Sequence, residues 1–279
     1  MKHLPTFKEF QCLNESDSFP TSEEAIHEAC KKYRIEDYQI VDGKVNVEGD
    51  VYLSGRSLTR LPVRFGIVKG FFRCSNNNLT SLEGSPKTVG GNFYCHDNEL
   101  TSLEGCSKTV GGNFYCDNNK LTSLGGGLET VGRDFYCYRN ELTSLEGSPE
   151  TVGGNFYCSH NNLTSLEGCP KTVGKDFDCS HNNLTSLEGS PETLDGNFNC
   201  SNNNLISLEG CPESVGKDFY CYRNELTSLE GSPETVGGNF YCNNNELTSI
   251  EGIPKIGGEF IYNNNPISKI LDSGQKFDV

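Results

Sequence analysis

Apolar and polar positions along this chain follow a unit of 21 residues that repeats through most of the sequence. The unit reads approximately V-G-G-N-F-Y-C-x-x-N-x-L-T-S-L-E-G-x-P-x-T, as in Val152–Thr172. Phe and Cys stand at alternate positions, which predicts a short strand with both side chains on one face, and two leucines follow. Because such a unit can bury its apolar side only against its neighbours, the repeat predicts a solenoid.

Nine cysteines mark the phase of the repeat, at Cys74, Cys95, Cys116, Cys137, Cys158, Cys179, Cys200, Cys221 and Cys242. We expect them to form one buried column on adjacent parallel strands about 4.8 Å apart. Their side chains would all point the same way, so the column indicates small buried hydrophobes and not disulfides. Free thiols in this number predict a reducing compartment, and therefore a cytoplasmic protein.

The repeat is preceded by a different pattern. Residues 1–20 lack periodicity and predict a flexible tail. Thr21 followed by Glu24 is typical of a capping box, and apolar residues at helical spacing then predict a helix over about 22–34. Asp42-Gly43 separates two strand-like segments and predicts a β-hairpin. The helix and hairpin are expected to cover the open end of the array.

The chain therefore divides into four segments by pattern: a tail, an N-terminal cap, a solenoid of about eleven strands and a C-terminal cap. These segments are residues 1–20, 21–50, 51–267 and 268–279.

The spacing of Val152, Phe156, Cys158, Asn161 and Leu163 fits the leucine-rich repeat pattern, with Phe and Cys where Leu is usual. The segment L-T-S-L-x-x-x-P looks like the short class of bacterial effector proteins, and G-G-N-F-Y-C-x-N-N-x-L-T-S-L-E-G resembles leucine-rich repeat proteins encoded by bacteriophages. The resemblance covers residues 38–270 and implies a curved parallel β-sheet. Some effectors carry a ubiquitin-ligase domain after the repeats. Only about a dozen residues follow the array here, so we expect no enzymatic activity.

A second invariant column lies three residues after each cysteine, at Asn77, Asn98, Asn119, Asn140, Asn161, Asn182, Asn203, Asn224 and Asn245. In leucine-rich repeats this Asn turns inward and bonds the backbone, so the resemblance implies a structural role. The recurring Gly-Gly pairs lack a following Lys and helix, which favours turns over a phosphate-binding loop.

The formal net charge of −15 and the isoelectric point near 4.8 disfavour direct nucleic-acid binding. No apolar stretch approaches the length of a membrane span. We expect neither a membrane association nor a cofactor.

Function is expected on the side chains that point out of the concave strands. Tyr and Arg there have the composition of binding hot spots, although stacked Tyr rings could equally be scaffold. The candidate binding residues are Tyr136, Tyr138, Arg139, Tyr157, His160, Tyr220, Tyr222, Arg223 and Tyr241. Two Tyr-Arg dipeptides lie four repeats apart, about 19 Å along the sheet.

Three hypotheses of function remain open. The first is a scaffold, phage-encoded by resemblance, that binds and modulates a host protein, such as a defence protein, in the host cytoplasm. The second is a sponge in which Tyr and Arg hold a nucleotide-type signalling molecule. The third is a DNA mimic that uses the Glu of each Leu-Glu-Gly as an acidic row. His160, His181 and Asp178 also invite a zinc hypothesis, which needs side chains from unlike columns to converge.

Overall fold

A computed structural model describes residues 18–271, with side chains up to residue 269. Most of the predicted tail and of the predicted C-terminal cap lies outside the described residues. Phe19 is an exception within the predicted tail, because it is buried and the guanidinium carbon of Arg64 lies 4.7 Å from its ring centroid. The part of the chain that packs against the first repeats therefore includes Phe19.

Helix α1 spans Glu23–Tyr33 and is close to the predicted helix. Its N-cap is Ser22 and not Thr21, because the Ser22 hydroxyl accepts a hydrogen bond of 3.2 Å from the Ala25 N–H. A short helix α2, Ser268–Leu271, follows the last repeat. Within residues 18–271, no helix is long and apolar enough to cross a membrane.

The predicted hairpin is formed by β1 (Tyr38–Val41) and β2 (Lys44–Val47), which pair antiparallel. Asp42 and Gly43 both have positive φ, at 50° and 68°, as a two-residue hairpin turn requires. Strand β2 also pairs in parallel with the first outer strand of the solenoid, so the hairpin covers that edge.

Each turn of the solenoid contributes two short strands. The concave strands are β3 (Val51–Tyr52), β5 (Phe72–Arg73), β7 (Phe93–Tyr94), β9 (Phe114–Tyr115), β11 (Phe135–Tyr136), β13 (Phe156–Tyr157), β15 (Phe177–Asp178), β17 (Phe198–Asn199), β19 (Phe219–Tyr220), β21 (Phe240–Tyr241) and β23 (Phe260–Ile261). The outer strands are β4 (Phe65–Val68), β6 (Thr88–Val89), β8 (Thr109–Val110), β10 (Thr130–Val131), β12 (Thr151–Val152), β14 (Thr172–Val173), β16 (Thr193–Leu194), β18 (Ser214–Val215), β20 (Thr235–Val236) and β22 (Lys255–Ile256). The concave strands form one parallel sheet of 11 strands in chain order, which confirms the predicted solenoid.

The nine cysteines of the repeat are fully buried, as the column predicts, and all described cysteines are free. Burial raises the pKa of these thiols well above the ordinary value, as at Cys95, Cys116 and Cys158. The Cys95 thiol donates a weak hydrogen bond of 3.2 Å to the Tyr115 carbonyl of the next turn. These thiols are therefore packing groups and not nucleophiles.

The asparagine ladder, defined as the invariant Asn column from Asn77 to Asn245, joins each turn to its neighbour. Asn161 shows the pattern: its amide donates to the Cys158 carbonyl at 3.0 Å and to the Cys137 carbonyl of the preceding turn at 3.1 Å. Its side-chain oxygen accepts from the Leu142 N–H at 3.1 Å. One buried side chain thus satisfies three backbone groups in two turns, which confirms the structural role that the resemblance implied.

The Gly-Gly pairs are needed because neighbouring turns approach closely, and not because the backbone there is left-handed. A Cβ on Gly153 would lie 2.4 Å from the Gly132 carbonyl oxygen, and a Cβ on Gly216 would lie 2.5 Å from the Asp195 carbonyl oxygen. At the regular turns this glycine donates its N–H to the preceding outer strand, as Gly174 does to Val152 at 3.0 Å.

Asp195 occupies this glycine position in one turn, and the outer ladder is broken there. Strands β14 and β16 do not pair, so one outer sheet ends at β14 and a second begins at β16. A groove of about 620 Å³ lies between the two turns, lined by residues such as Lys171, Val173 and Asp195. Since a Cβ cannot sit against the neighbouring carbonyl, we attribute the break to Asp195.

The substitution Asp195→Gly should therefore restore the outer ladder. We expect a gain of about 1 kcal/mol, because the recovered backbone bonds outweigh the greater chain entropy of glycine, and a thermal midpoint about 2–4 °C higher. The matched control is Gly153→Asp, which should open a second break and lower the midpoint. A lower midpoint for Asp195→Gly would show that Asp195 does not cause the break.

Candidate binding face on the concave sheet

The residue that follows each Phe points out of the concave sheet, and in most turns it is Tyr. Tyr94, Tyr115, Tyr136 and Tyr157 form one stack, with ring centroids 4.6–5.0 Å apart. Asp178 and Asn199 interrupt the column, and Tyr220 and Tyr241 resume it at 4.7 Å. The stacking follows from parallel in-register strands, so part of the Tyr column's role is structural.

The polar ladder is a further column that the sequence analysis missed: Asn92, Asn113, Asp134, Asn155, Asp176, Asn197, Asp218 and Asn239. Each side chain accepts a backbone N–H from the next turn, as Asp134 does from Asn155 at 2.9 Å. Many also hold the Tyr hydroxyl two residues later. The Tyr136 hydroxyl donates to Asp134 at 3.2 Å, and the Tyr220 hydroxyl donates to Asp218 at 2.9 Å.

Burial and the neighbouring carboxylates raise the pKa of Tyr136 and Tyr220, so both phenols stay protonated and fixed in direction. From Asn113 to Asn239 the polar ladder alternates between Asn and Asp. The alternation keeps neighbouring carboxylates two turns apart, about 10 Å, and limits their repulsion. A polar residue before each concave Phe from Phe93 to Phe240 was the signal in the sequence.

All nine predicted binding residues fall into two groups that the fold places in equivalent positions. The first cluster encloses a shallow depression of about 290 Å³ and is lined by Tyr136, Tyr138, Arg139, Tyr157, Ser159, His160 and Asp178. The second cluster encloses about 370 Å³ and is lined by Tyr220, Tyr222, Arg223, Tyr241, Asn243 and Asn244.

The two clusters have the same internal geometry. The Tyr138 ring stands at 81° to the Tyr136 ring with centroids 6.4 Å apart, and Tyr222 stands at 86° to Tyr220 at 6.4 Å. In each cluster the upright ring of Tyr138 or Tyr222 forms a wall of the depression, and the stacked Tyr column lies next to it. The arginine that follows the wall is exposed in both clusters.

The backbone of these arginines is left-handed. Arg139 has φ of 52° and Arg223 has φ of 55°. In other turns the same position is held mostly by Asn or Asp, namely Asn76, Asp97, Asn118, Asn202, Asn244 and Asn264. Asn and Asp tolerate this conformation better than other non-glycine residues. Turn geometry therefore does not explain why arginine is present at both clusters.

His160 and His181 occupy the same left-handed column and stack with centroids 4.3 Å apart. Burial and the proximity of His160 lower the pKa of His181. The Asp178 carboxylate accepts a hydrogen bond of 3.0 Å from the Ser180 N–H, so a backbone group two residues later fixes its orientation. Across the part of the chain that the structure describes, no group of three or more His, Cys, Asp or Glu could hold a metal ion.

The acidic row on the edge of the solenoid is exposed, at Glu83, Glu104, Glu146, Glu167, Glu188, Glu209, Glu230 and Glu251. Gly125 takes the place of Glu in one turn, and Glu83 pairs with Arg64 at 3.0 Å. The row is thus interrupted at its third position and partly neutralised at its first member.

Asp117 is a buried carboxylate beside Tyr138, in the equivalent position of the preceding turn, with 5% of its surface exposed. Burial raises its pKa, while a hydrogen bond from the Tyr138 hydroxyl and the nearby His96 act in the opposite direction. Asp117 thereby fixes the upright Tyr138 ring. In the second cluster the equivalent position is Ser201, whose hydroxyl donates to Asn199 at 2.7 Å.

The raised pKa of Asp117 means that the folded state binds its proton more tightly than the unfolded state does. This contribution to stability is present at low pH and is lost as the pH rises through the folded-state pKa. Asp117→Asn should therefore raise the thermal midpoint at pH 7, and its advantage should vanish near pH 4. Asp97→Asn, at an exposed position, should show no such gain. An advantage for Asp117→Asn that is independent of pH would contradict this reading.

No protein-family model matches this chain, and no curated protein sequence does. Among solved structures, the chain is similar to YopM from Yersinia enterocolitica WA-314, with a TM-score of 0.55 and 18% identity over 92% of this chain and 62% of that one. It also aligns with YopM from Yersinia pestis, described as a leucine-rich effector protein, with 14% identity and a TM-score of 0.30 over 90% of this chain and 97% of that one. The chain thus spans 62% of the length of the first protein. The first of these similarities and the sheet topology together show a leucine-rich-repeat solenoid.

Proposed function

We propose that this protein is a non-enzymatic leucine-rich-repeat scaffold that binds a partner protein through the two Tyr-Arg clusters of its concave face. The observation that carries the proposal is the duplicated geometry of Tyr136, Tyr138 and Arg139 in Tyr220, Tyr222 and Arg223. Tyr and Arg are the residues most enriched in binding hot spots, and the Tyr rings here are already held rigid by stacking and hydrogen bonds.

A protein partner is favoured over a small molecule by the shape of the face. The two depressions measure about 290 and 370 Å³ and are shallow. Pockets for small ligands enclose most of the ligand surface, which a shallow depression does not do. Two shallow depressions on one continuous sheet are better suited to a broad protein surface.

The finer parts of the proposal follow from the sequence resemblance. The protein acts in the cytoplasm of a bacterial host, is encoded by a bacteriophage, and binds and modulates a host protein, such as a defence protein. The buried, protonated thiols of the array support a binding role without covalent chemistry, because thiolates are the reactive form.

The test is capture of the partner from host lysate, followed by affinity measurements on variants. Combined Tyr138→Ala and Arg139→Ala changes should weaken binding about 30-fold, equivalent to about 2 kcal/mol, as hot-spot truncations do. Thermal stability should fall by only about 1 kcal/mol, because Tyr138→Ala removes the hydrogen bond to Asp117 while neither side chain lies in the core.

The matched control changes Glu146, Glu167 and Glu188 to Gln, and it should leave binding intact. If the Glu variant loses binding while the Tyr-Arg variant is silent, the acidic row is the site and the protein acts as a DNA mimic. Release of a nucleotide from the purified protein, with no captured protein, would instead establish the sponge.

A further inference from the structure

A short stripe of basic side chains lies beside the two clusters on the concave face, apart from Arg73, whose guanidinium carbon lies 4.3 Å from the Tyr94 ring centroid. Arg139, His160, His181 and Arg223 lie in the left-handed column within five consecutive turns, interrupted only by Asn202. Outside this stripe the column holds Asn, Asp and one Ser. In a protein with a net charge of −15, this is a local exception to an acidic surface.

Neither arginine of the stripe is neutralised by the protein itself. The ion pairs among the described residues involve Arg64, Lys69, His96, Lys108 and Lys120, and none involves Arg139 or Arg223. The guanidinium carbon of Arg139 lies over the Tyr138 ring, 6.0 Å from the ring centroid, in a cation-π contact. Two unpaired guanidinium groups on strained backbone indicate an external partner for each.

The floor between the two upright rings is made of small residues. In the column that contains Tyr138 and Tyr222, the intervening positions are Ser159, Ser180 and Ser201, and all three are buried. These serines leave a stretch of small side chains between the two aromatic walls, with the stripe along one side and Asp178 and Asn199 along the other. We call this stretch the trough. Four strand spacings separate the two walls, about 19 Å.

We infer, on the basis of the proposed function, that the trough binds an extended acidic segment of a partner protein. One carboxylate of that segment binds Arg139, and a second carboxylate binds Arg223. An extended chain advances about 3.3 Å per residue, so the two carboxylates lie six residues apart. A guanidinium binds a carboxylate through two parallel hydrogen bonds, which sets the direction of the segment along the sheet. The intervening residues lie over the serine floor beside His160 and His181.

The test uses labelled synthetic peptides and fluorescence anisotropy at low salt. One peptide carries two glutamates separated by five Gly and Ser residues. The comparison peptides carry a single glutamate, two glutamates separated by two residues, or two lysines in place of the two glutamates. The first peptide should bind at least about 10-fold more tightly than any other, because simultaneous contact raises the effective concentration.

Variants of the protein assign the binding to the stripe. Arg139→Gln and Arg223→Gln should each reduce the affinity for the first peptide to that for the single-glutamate peptide. Arg133→Gln is the matched control, because Arg133 is exposed on the same turn as Arg139 but lies outside the left-handed column. This control should bind like the unchanged protein.

Equal affinity for all peptides, or binding that survives both Arg→Gln changes, overturns the inference. A short single-stranded oligonucleotide that binds more tightly than the first peptide, and depends on the same arginines, overturns it in favour of nucleic acid. If the captured partner of the preceding section still binds the double Arg→Gln variant but not the Tyr138→Ala variant, the concave face remains the binding site. In that case only the acidic segment is wrong.

Discussion

The hydrogen bonds of the asparagine ladder are the interaction on which the rest of this structure depends. Each Asn side chain joins backbone groups of two consecutive turns, as Asn161 does for Cys137, Leu142 and Cys158. Those backbone groups are buried and would otherwise lack partners. Because the same three bonds recur in turn after turn, every turn is held in the same register, and every column of side chains inherits that register.

This fixed register explains both the stability and the shape of the binding face. It places Phe on Phe and Cys on Cys inside the sheet, and Tyr on Tyr outside it. It also forces the residue just before the ladder Asn into a left-handed conformation in each turn. Asn or Asp meets that requirement at low cost, whereas Arg139 and Arg223 do not. The concave face therefore combines positions dictated by the fold with a few residues that the fold alone would not select.

The sequence was sufficient to predict features that repeat. The Cys column recurs in nine turns, so its burial follows from spacing, whereas the bonding of the Asn column was implied by the resemblance to leucine-rich repeats. Asp42-Gly43 identifies the hairpin locally. The polar ladder was missed because its members alternate between Asn and Asp, and each looks like an ordinary surface residue.

Features that depend on contacts between turns could not be predicted from one turn. The outer ladder breaks between β14 and β16, and we attribute the break to Asp195 because a Cβ at the equivalent Gly153 would lie 2.4 Å from the carbonyl oxygen of the neighbouring turn. The sequence shows the substitution but not that distance. Ser and Thr are both suitable N-cap residues, so the sequence does not decide between Thr21 and Ser22. In the structure the Ser22 hydroxyl accepts the N–H bond from the first turn of the helix. The nine candidate residues form two depressions because the Tyr138 and Tyr222 rings stand upright, and the sequence does not show that orientation.

The central claim is that the turn favours Asn at the left-handed position, and that arginine is present there for binding at a cost in stability. Thermal unfolding of the double variant Arg139→Asn and Arg223→Asn tests it most directly. We expect a gain of about 1 kcal/mol and a midpoint higher by about 2–4 °C, because backbone strain is relieved. The reverse change, Asn118→Arg, should lower the midpoint. A double variant that is less stable than the unchanged protein would show that the two arginines support the fold, and would contradict the account.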